Sequence, residues 1–237
     1  MLVSKNIHNL VGNKLLAAVP REEYERLVPN LEAVSLSFKQ YLYEPNEPVE
    51  YIYFPKSGVV SVLTVMEDGG TVEVATVGNE GMLGIHVLLG ADRVPTETFV
   101  QVPGDALRMK VDVFKKEVFP GSPLHNLLLR YTQALLTQLS QSAACNRLHS
   151  VEKRACRWLL LTHDRVDSDQ FPMTHEFLAE MLGVRRAGVS EVAATLQKAG
   201  LIRYNRGKMT ICDRKGLEAG SCECYEVFKR QYIRLLG

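Results

Sequence analysis

The stretch that most constrains the chain is residues 174–211, THEFLAEMLGVRRAGVSEVAATLQKAGLIRYNRGKMTI. Phe177, Leu178, Met181 and Leu182 recur at helical spacing and define one apolar face. Thr174 stands where a cap is needed, and Glu176 and Glu180 follow in the early turns. Gly183 ends this helix, because a residue without a Cβ turns out of it cheaply. A second helix presents Val189, Val192, Ala193 and Leu196 inward and stops at Gly200. Leu201, Ile202 and Tyr204 then alternate as a strand, Asn205-Arg206-Gly207-Lys208 turns, and Met209, Thr210 and Ile211 return.

Two helices around a glycine turn make a helix-turn-helix, and the hairpin behind them makes it a winged one. In such motifs the start of the second helix meets base edges in the major groove. Here that start reads Arg185, Arg186, Ala187, Gly188, Val189, Ser190, Glu191. Ala187 and Gly188 are small enough for close approach, and arginine is the commonest reader of guanine. From Gly183 to Lys208 six basic residues face one acidic residue, Glu191, as suits a surface lying against phosphates. The expected DNA-facing set is Thr174, Arg185, Arg186, Gly188, Ser190, Glu191 and Lys208.

Charge is distributed accordingly. Residues 151–237 hold 15 Lys/Arg and 11 Asp/Glu, a net +4, whereas residues 1–150 hold 13 and 16, a net −3. The basic excess sits with the winged helix, as nucleic-acid contact requires. No 18-residue apolar run occurs, so no membrane partner is expected. The first residues show no apolar signal core. The five cysteines, Cys145, Cys156, Cys212, Cys222 and Cys224, are an odd number and suit a reducing cytoplasm. Cys222 and Cys224 have no second pair at ligand spacing and the histidines look scattered, so no metal site is expected. No nucleophile–base set or paired acid/base motif stands out, so an enzyme is not expected.

The rest of the chain divides by period. Residues 8–32 read as an amphipathic helical segment with Leu10, Leu15, Leu16, Leu27, Val28 and Leu31. From Val34 to about Met109 the period is two, with strands at 34–38, 51–54, 58–63, 71–77, 96–102 and 106–110 and a hairpin at Asp68-Gly69-Gly70. Many short strands punctuated by Gly and Pro predict an all-β roll. The Gly78–Gly84 segment interrupts it, and its glycines either bring backbone close to a ligand or make a plain turn. From Pro123 the period becomes helical again. Leu128, Tyr131, Leu135, Leu139 and Ser142, in line with Leu124, predict a long helix that pairs with its copy. A further helix runs over 151–161, and a polar loop over 164–170. The expected layout is α+β: a β-roll sensor with N-terminal helices over 1–120, a long dimerisation helix over 121–149, and a winged helix-turn-helix over 150–237.

This order resembles the Crp/Fnr family of bacterial transcription regulators. The resemblance rests on Tyr53-Phe54-Pro55 with Gly58, on Gly78–Gly84, on Val151-Glu152-Lys153-Arg154-Ala155 with Trp158-Leu159-Leu160, and on the winged helix. It implies a cyclic-nucleotide-binding-like roll. In members that bind cyclic AMP a glutamate holds the ribose, and an arginine and a serine hold the phosphate. Met82, Thr96 and Glu97 stand at the matching positions, so cyclic AMP is not expected as a ligand. The N-terminal cysteine cluster of iron–sulfur members is absent. In the recognition helix the family's leading arginine matches Arg186, its glutamate matches Ala187 and its later arginine matches Glu191. A carboxylate at 191 accepts from cytosine N4, so the operator need not follow the family's common site. Cyclic di-GMP stays open as an effector, with Arg147, Arg154, Asp164, Arg165 and Asp167 near the interdomain hinge to receive it beside Glu80, Met82, Thr96 and Glu97 in the roll.

The reading is a homodimeric regulator on pseudopalindromic double-stranded DNA, with RNA polymerase or another regulator as further candidate partners. The alternative is a ligand-sensing protein that acts by binding another regulator, DNA binding being weak or lost.

Overall fold

The computed structural model describes residues 12–237. Leu10, at the start of the expected N-terminal helix, lies outside them. The chain divides into two compact units. One comprises residues up to Val62, Thr76–Leu136 and Gln231–Gly237, and the other Leu63–Ala75 and Thr137–Arg230.

The N-terminal helical segment forms α1 (Lys14–Ala17), α2 (Arg21–Leu27) and a 3-10 turn at Val28–Asn30. Pro20 caps α2 and lacks the N–H that would carry α1 onward. Asn13 explains how this small piece is fixed. Its side chain is fully buried, its Oδ1 accepts from Leu16 N–H at 3.1 Å, and its Nδ2 donates to the carbonyls of Pro55 and Gly81, each at 2.8 Å. A buried amide is tolerated because its bonding capacity is used.

The first unit is the roll. β1 (Glu32–Leu36), β7 (Gly104–Lys110) and β3 (Tyr51–Pro55) form one sheet in the order β1-β7-β3. The register places Glu32 opposite Arg108, and the two form an ion pair at 2.9 Å. β2 (Tyr41–Tyr43), β6 (Glu97–Val102), β4 (Val59–Val65) and β5 (Thr71–Val77) form the other sheet in the order β2-β6-β4-β5, of which Leu63–Ala75 belongs to the second unit. α3 (Ile85–Leu88) follows the glycine segment, and α4 (Val111–Glu117) follows β7. The core gathers Leu15, Leu16, Ile52, Phe54, Met82, Met109 and Phe114 with Leu124, Leu128 and Tyr131 from α5 (Pro123–Leu148). Glu23 is buried, and its carboxylate accepts from the Leu124 N–H at 3.1 Å, where an anion suits the positive end of a helix.

The second unit is built on α6 (Val151–His163), which Ser150 caps and which is buried continuously from Arg154 to Thr162. α7 (His175–Leu182) and α8 (Arg186–Lys198) pack on it, and the sheet β8 (Gln170–Pro172), β10 (Lys208–Ile211), β9 (Ile202–Asn205) meets α8 through β9. Trp158 meets Phe177 edge-on at 6.4 Å, and its Nε1 donates to Glu73 at 2.8 Å. α9 (Arg214–Gly220) and α10 (Cys224–Leu236) end the chain.

Candidate nucleic-acid interface

The helix-turn-helix forms for the reasons its sequence supplies. Thr174 caps α7 by accepting from the Phe177 N–H at 3.1 Å. Gly183 adopts φ 60°, the left-handed turn that a Cβ disfavours. Val189, Ala193 and Leu196 are buried, which fixes the opposite edge of α8 outward.

That outward edge carries the expected residues. Arg185, Arg186, Ala187 and Glu191 are exposed, and no side chain caps the first turn of α8. Its leading N–H groups and the positive end of its dipole therefore face outward, the ordinary setting for an anion. A Cβ added at Gly188 would meet nothing within 4 Å. Glycine in a helix costs about 1 kcal/mol relative to alanine. Nothing among the described residues requires that cost, and the open space above Gly188 leaves room for an outside surface to come close. Arg186 stands 3.6 Å from the exposed Glu176 carboxylate, a pairing of little worth in water.

Ser190 is placed differently. It is half-buried, and its hydroxyl donates to the Arg186 carbonyl at 3.1 Å and lies 3.1 Å from His175 Nδ1. His175 in turn stacks on Tyr204 at 4.3 Å. Ser190 thus ties α8 to α7 and positions the helix. Burial, and then the charge of Arg186, hold the His175 imidazole below its ordinary value, so it serves this tie uncharged.

The wing places Lys208 outward beside a residue that the sequence reading passed over. Arg206 sits at the tip, exposed, with φ 46°. It and Gly207, at φ 77°, make the two-residue turn whose centre needs two positive φ angles. Asn205-Arg206-Gly207-Lys208 was legible as a turn, but Arg206 was counted only among its basic residues and not singled out.

Four of the expected effector residues lie in the first unit and five in the second. In the first unit Met82 is buried and its carbonyl accepts from the Tyr131 hydroxyl at 3.0 Å. Glu80 accepts from the Gly78 N–H at 3.2 Å, and Thr96 and Glu97 stand half-buried at the start of β6. The glycines of this segment make room for the protein itself. A Cβ at Gly81 would lie 2.5 Å from the Tyr131 hydroxyl, and one at Gly84 2.6 Å from Ile52. In the second unit Arg154 is buried and donates to the Leu182 carbonyl, closing the end of α7. Arg165 donates to the Leu161 carbonyl at 2.8 Å, closing α6. Asp164 accepts from Arg214 at 2.5 Å and from the Tyr225 hydroxyl at 2.9 Å. Three of the five hinge charges are therefore bound into local structure, where helix-end carbonyls and a neighbouring guanidinium use them. Arg147 and Asp167 are exposed.

The dimer stripe needs correction too. Leu128 and Tyr131 are completely buried in the core of their own unit, and Ser142 is buried as well. They are not available to a second chain. Leu135 and Leu139 are half-buried. The large apolar residues α5 leaves exposed are Leu129, Leu136 and, at its end, Leu148, at 46%, 52% and 75%; Leu129 and Leu136 stand seven residues apart.

The histidines are not all scattered. His149 joins Cys145, Cys222 and Cys224 in one cluster, whose ligating atoms lie within 4.8 Å of one another. Cys222 is held below the usual thiol range, chiefly by the hydrogen bond from Cys145, and that bond pushes Cys145 above it.

A winged helix-turn-helix with an exposed basic leading turn, joined by a long helix to a double-sheet roll, defines the class: a DNA-binding transcription regulator with a roll of the cyclic-nucleotide-binding type. The comparisons agree. The cyclic nucleotide-binding domain family matches residues 33–119, and the Crp-like helix-turn-helix domain family matches residues 153–219. The chain belongs to the Crp/Fnr family. Its relatives include the global nitrogen regulator of Synechococcus elongatus, 22% identical over 72% of this chain and 81% of the relative. A Crp/Fnr-family regulator structure from Eubacterium rectale superposes with a TM-score of 0.68 at 18% identity, covering 86% of this chain and 96% of that one. The c-di-GMP-responsive global regulator CLP of Xanthomonas campestris superposes with a TM-score of 0.63 at 17% identity, covering 81% and 99%. Among the described residues no helix is long and apolar enough to cross a membrane.

Proposed function

We propose that the chain acts as a homodimer on a pseudopalindromic operator, with Arg186 reading a base and Arg206 and Lys208 holding phosphates. The observation that carries this reading is the first turn of α8: basic, uncapped, exposed, and open above Gly188. Leu129 and Leu136, at heptad spacing on α5, supply an apolar seam for the second copy. The effector is proposed to be something other than cyclic AMP. Met82 offers no ribose acceptor and its side chain is turned into the core, while Glu97 would repel the phosphate. Cyclic di-GMP is the first candidate to test, because the CLP regulator that shares this fold responds to it. Here it would have to be held without Arg154, Asp164 and Arg165, which are already bonded within the chain.

The test is competition binding against a randomised operator library with wild type, Arg186→Ala and Lys208→Ala. Arg186→Ala should cost about 1–3 kcal/mol on the selected site and relax one base pair per half-site. Lys208→Ala should weaken all sequences alike and lower the salt slope by about one unit per half-site. If Arg186→Ala leaves both consensus and affinity unchanged, the helix does not enter the groove as proposed. Capture of a partner regulator without a DNA footprint would then favour the interaction-protein reading.

A further inference from the structure

We propose that Cys145, His149, Cys222 and Cys224 bind one zinc ion in a tetrahedral site that fastens the Cys222–Cys224 turn to the C-terminal end of α5. The four side chains come from two places in the sequence. Cys145 and His149 are one helical turn apart, and the His149 N–H still bonds to the Cys145 carbonyl at 3.1 Å, so both leave the same face of α5. Cys222 and Cys224 flank Glu223 at the start of α10. All four lie within the second unit.

The distances are those of a single ion. The sulfurs of Cys145 and Cys222 are 3.5 Å apart, and Cys224 Sγ is 3.5 Å from His149 Nδ1. Zinc bound tetrahedrally, about 2.3 Å from sulfur and about 2.0–2.1 Å from nitrogen, sets ligand–ligand edges of roughly 3.6–3.8 Å. All four atoms already lie within 4.8 Å of one another, so small rotations close the site. A multi-iron cluster fits less well, because it seats its thiolates on different irons with sulfides between them and spreads them farther apart.

The surroundings are those a metal site needs. The His149 ring points Nδ1 at the sulfurs and has Nε2 3.3 Å from the Glu223 carboxylate. A carboxylate behind a ligating histidine fixes its tautomer and raises its basicity. Gln141 Nε2 donates to Cys224 Sγ at 3.2 Å, a bond that favours the thiolate. Three thiolates, a neutral imidazole and a dication leave one net negative charge, which a buried site must balance. Arg157 supplies the balance. It is buried, lies over the Phe228 ring at 5.4 Å, and its charge acts on both Cys145 and Cys222. On binding, the thiol protons pass to solvent and no redox partner is required. Cys212 is exposed and outside the cluster, so it serves as a control.

The experiment uses full-length protein purified under reducing conditions without chelator. Elemental analysis should find about one zinc per chain. After chelation, titration with Co(II) should give the visible ligand-field bands and sulfur-to-metal charge-transfer band of tetrahedral thiolate coordination. Cys212→Ser should behave as wild type, and Cys222→Ser and His149→Ala should lose the metal. Glu223→Gln, an exposed change that leaves all four ligands in place, should keep the stoichiometry and weaken affinity by about 10–100-fold. The proposal is overturned by wild-type protein that yields neither zinc nor the cobalt bands, by iron with inorganic sulfide in place of zinc, by a Cys145–Cys222 disulfide in the freshly reduced protein, or by full metal retention in Cys222→Ser.

Discussion

Arg206→Asn should make the wing more stable and the protein a weaker, less salt-sensitive DNA binder. Arg206 holds φ 46° on an exposed turn whose next residue, Gly207, is at 77°. The left-handed region costs an ordinary L-residue about 1–2 kcal/mol, and asparagine tolerates it better because its short side chain bonds locally. Recovering half of that gives about 0.5–1 kcal/mol, or about 1–4 °C in melting temperature for a chain of this size. Glycine would recover the strain but give part of it back through the entropy of the unfolded chain, so asparagine is the cleaner probe. The loss on DNA follows from charge. One phosphate contact per half-site is two per dimer, and each contributes about 0.9 to the salt slope. Over a fourfold rise in salt the wild type should therefore lose about tenfold more affinity than the variant. Differential scanning fluorimetry measures the first effect, and fluorescence anisotropy on one operator at several salt concentrations the second. An unchanged melting temperature would mean that the turn stores no strain. An unchanged slope would mean that Arg206 stands away from the phosphates, and a changed consensus would make it a base reader instead.

Gly81→Ala should destabilise the roll by about 1–3 kcal/mol, since the new Cβ would lie 2.5 Å from the Tyr131 hydroxyl. Adding Tyr131→Phe should restore part of the loss, which chemical denaturation of the single and double variants would show as a coupling energy. Leu136→Glu should shift sedimentation toward monomer while leaving the circular dichroism spectrum intact, because residue 136 is 52% exposed; a variant that stays dimeric would remove this seam. His86 and His175 are both held below their ordinary value of 6.5, each chiefly by burial. The folded state then binds fewer protons than the unfolded one, so their contribution is complete above 6.5 and is lost as pH falls below it. Proton NMR should find both titrating below 6.5, and a stability independent of pH across this window would contradict the placement.

The fold was legible where one element carries its own pattern. β5 occupies Thr71–Val77, as its period-two alternation requires, and the turn before it is held by Asp68, whose carboxylate accepts from the Gly70 N–H at 2.9 Å. Thr174, Gly183 and the apolar face of α7 placed the helix-turn-helix without help from distant residues. Three-residue strands such as β2 and β8 have too few positions to show a period, and they form because β6 and β10 offer partners. The N-terminal segment was legible as helical because its leucines keep helical spacing, and Pro20 divides it because the backbone cannot continue through that residue.

The site divides along the same line. Exposure of Arg185 and Arg186 follows from the burial of Val189, Ala193 and Leu196 on one helix, so it was readable locally. What α5 does with its two apolar faces was not. Leu124, Leu128 and Tyr131 make the longer stripe, and a long stripe in a long helix suits a partner; yet Met82, Phe114 and Leu16 of the same chain already cover it. Leu129 and Leu136 belong to a sparser face that stays exposed. Spacing tells which residues share a side of a helix, and only tertiary packing tells which side is already covered. Cys145 and His149 make the same point. One helical turn apart, they are half a set of ligands, but the cysteines that complete it follow about seventy residues later. The winged helix lies between the two halves of the ligand set, so a metal at this site would couple its binding energy to the folding of the whole DNA-reading unit.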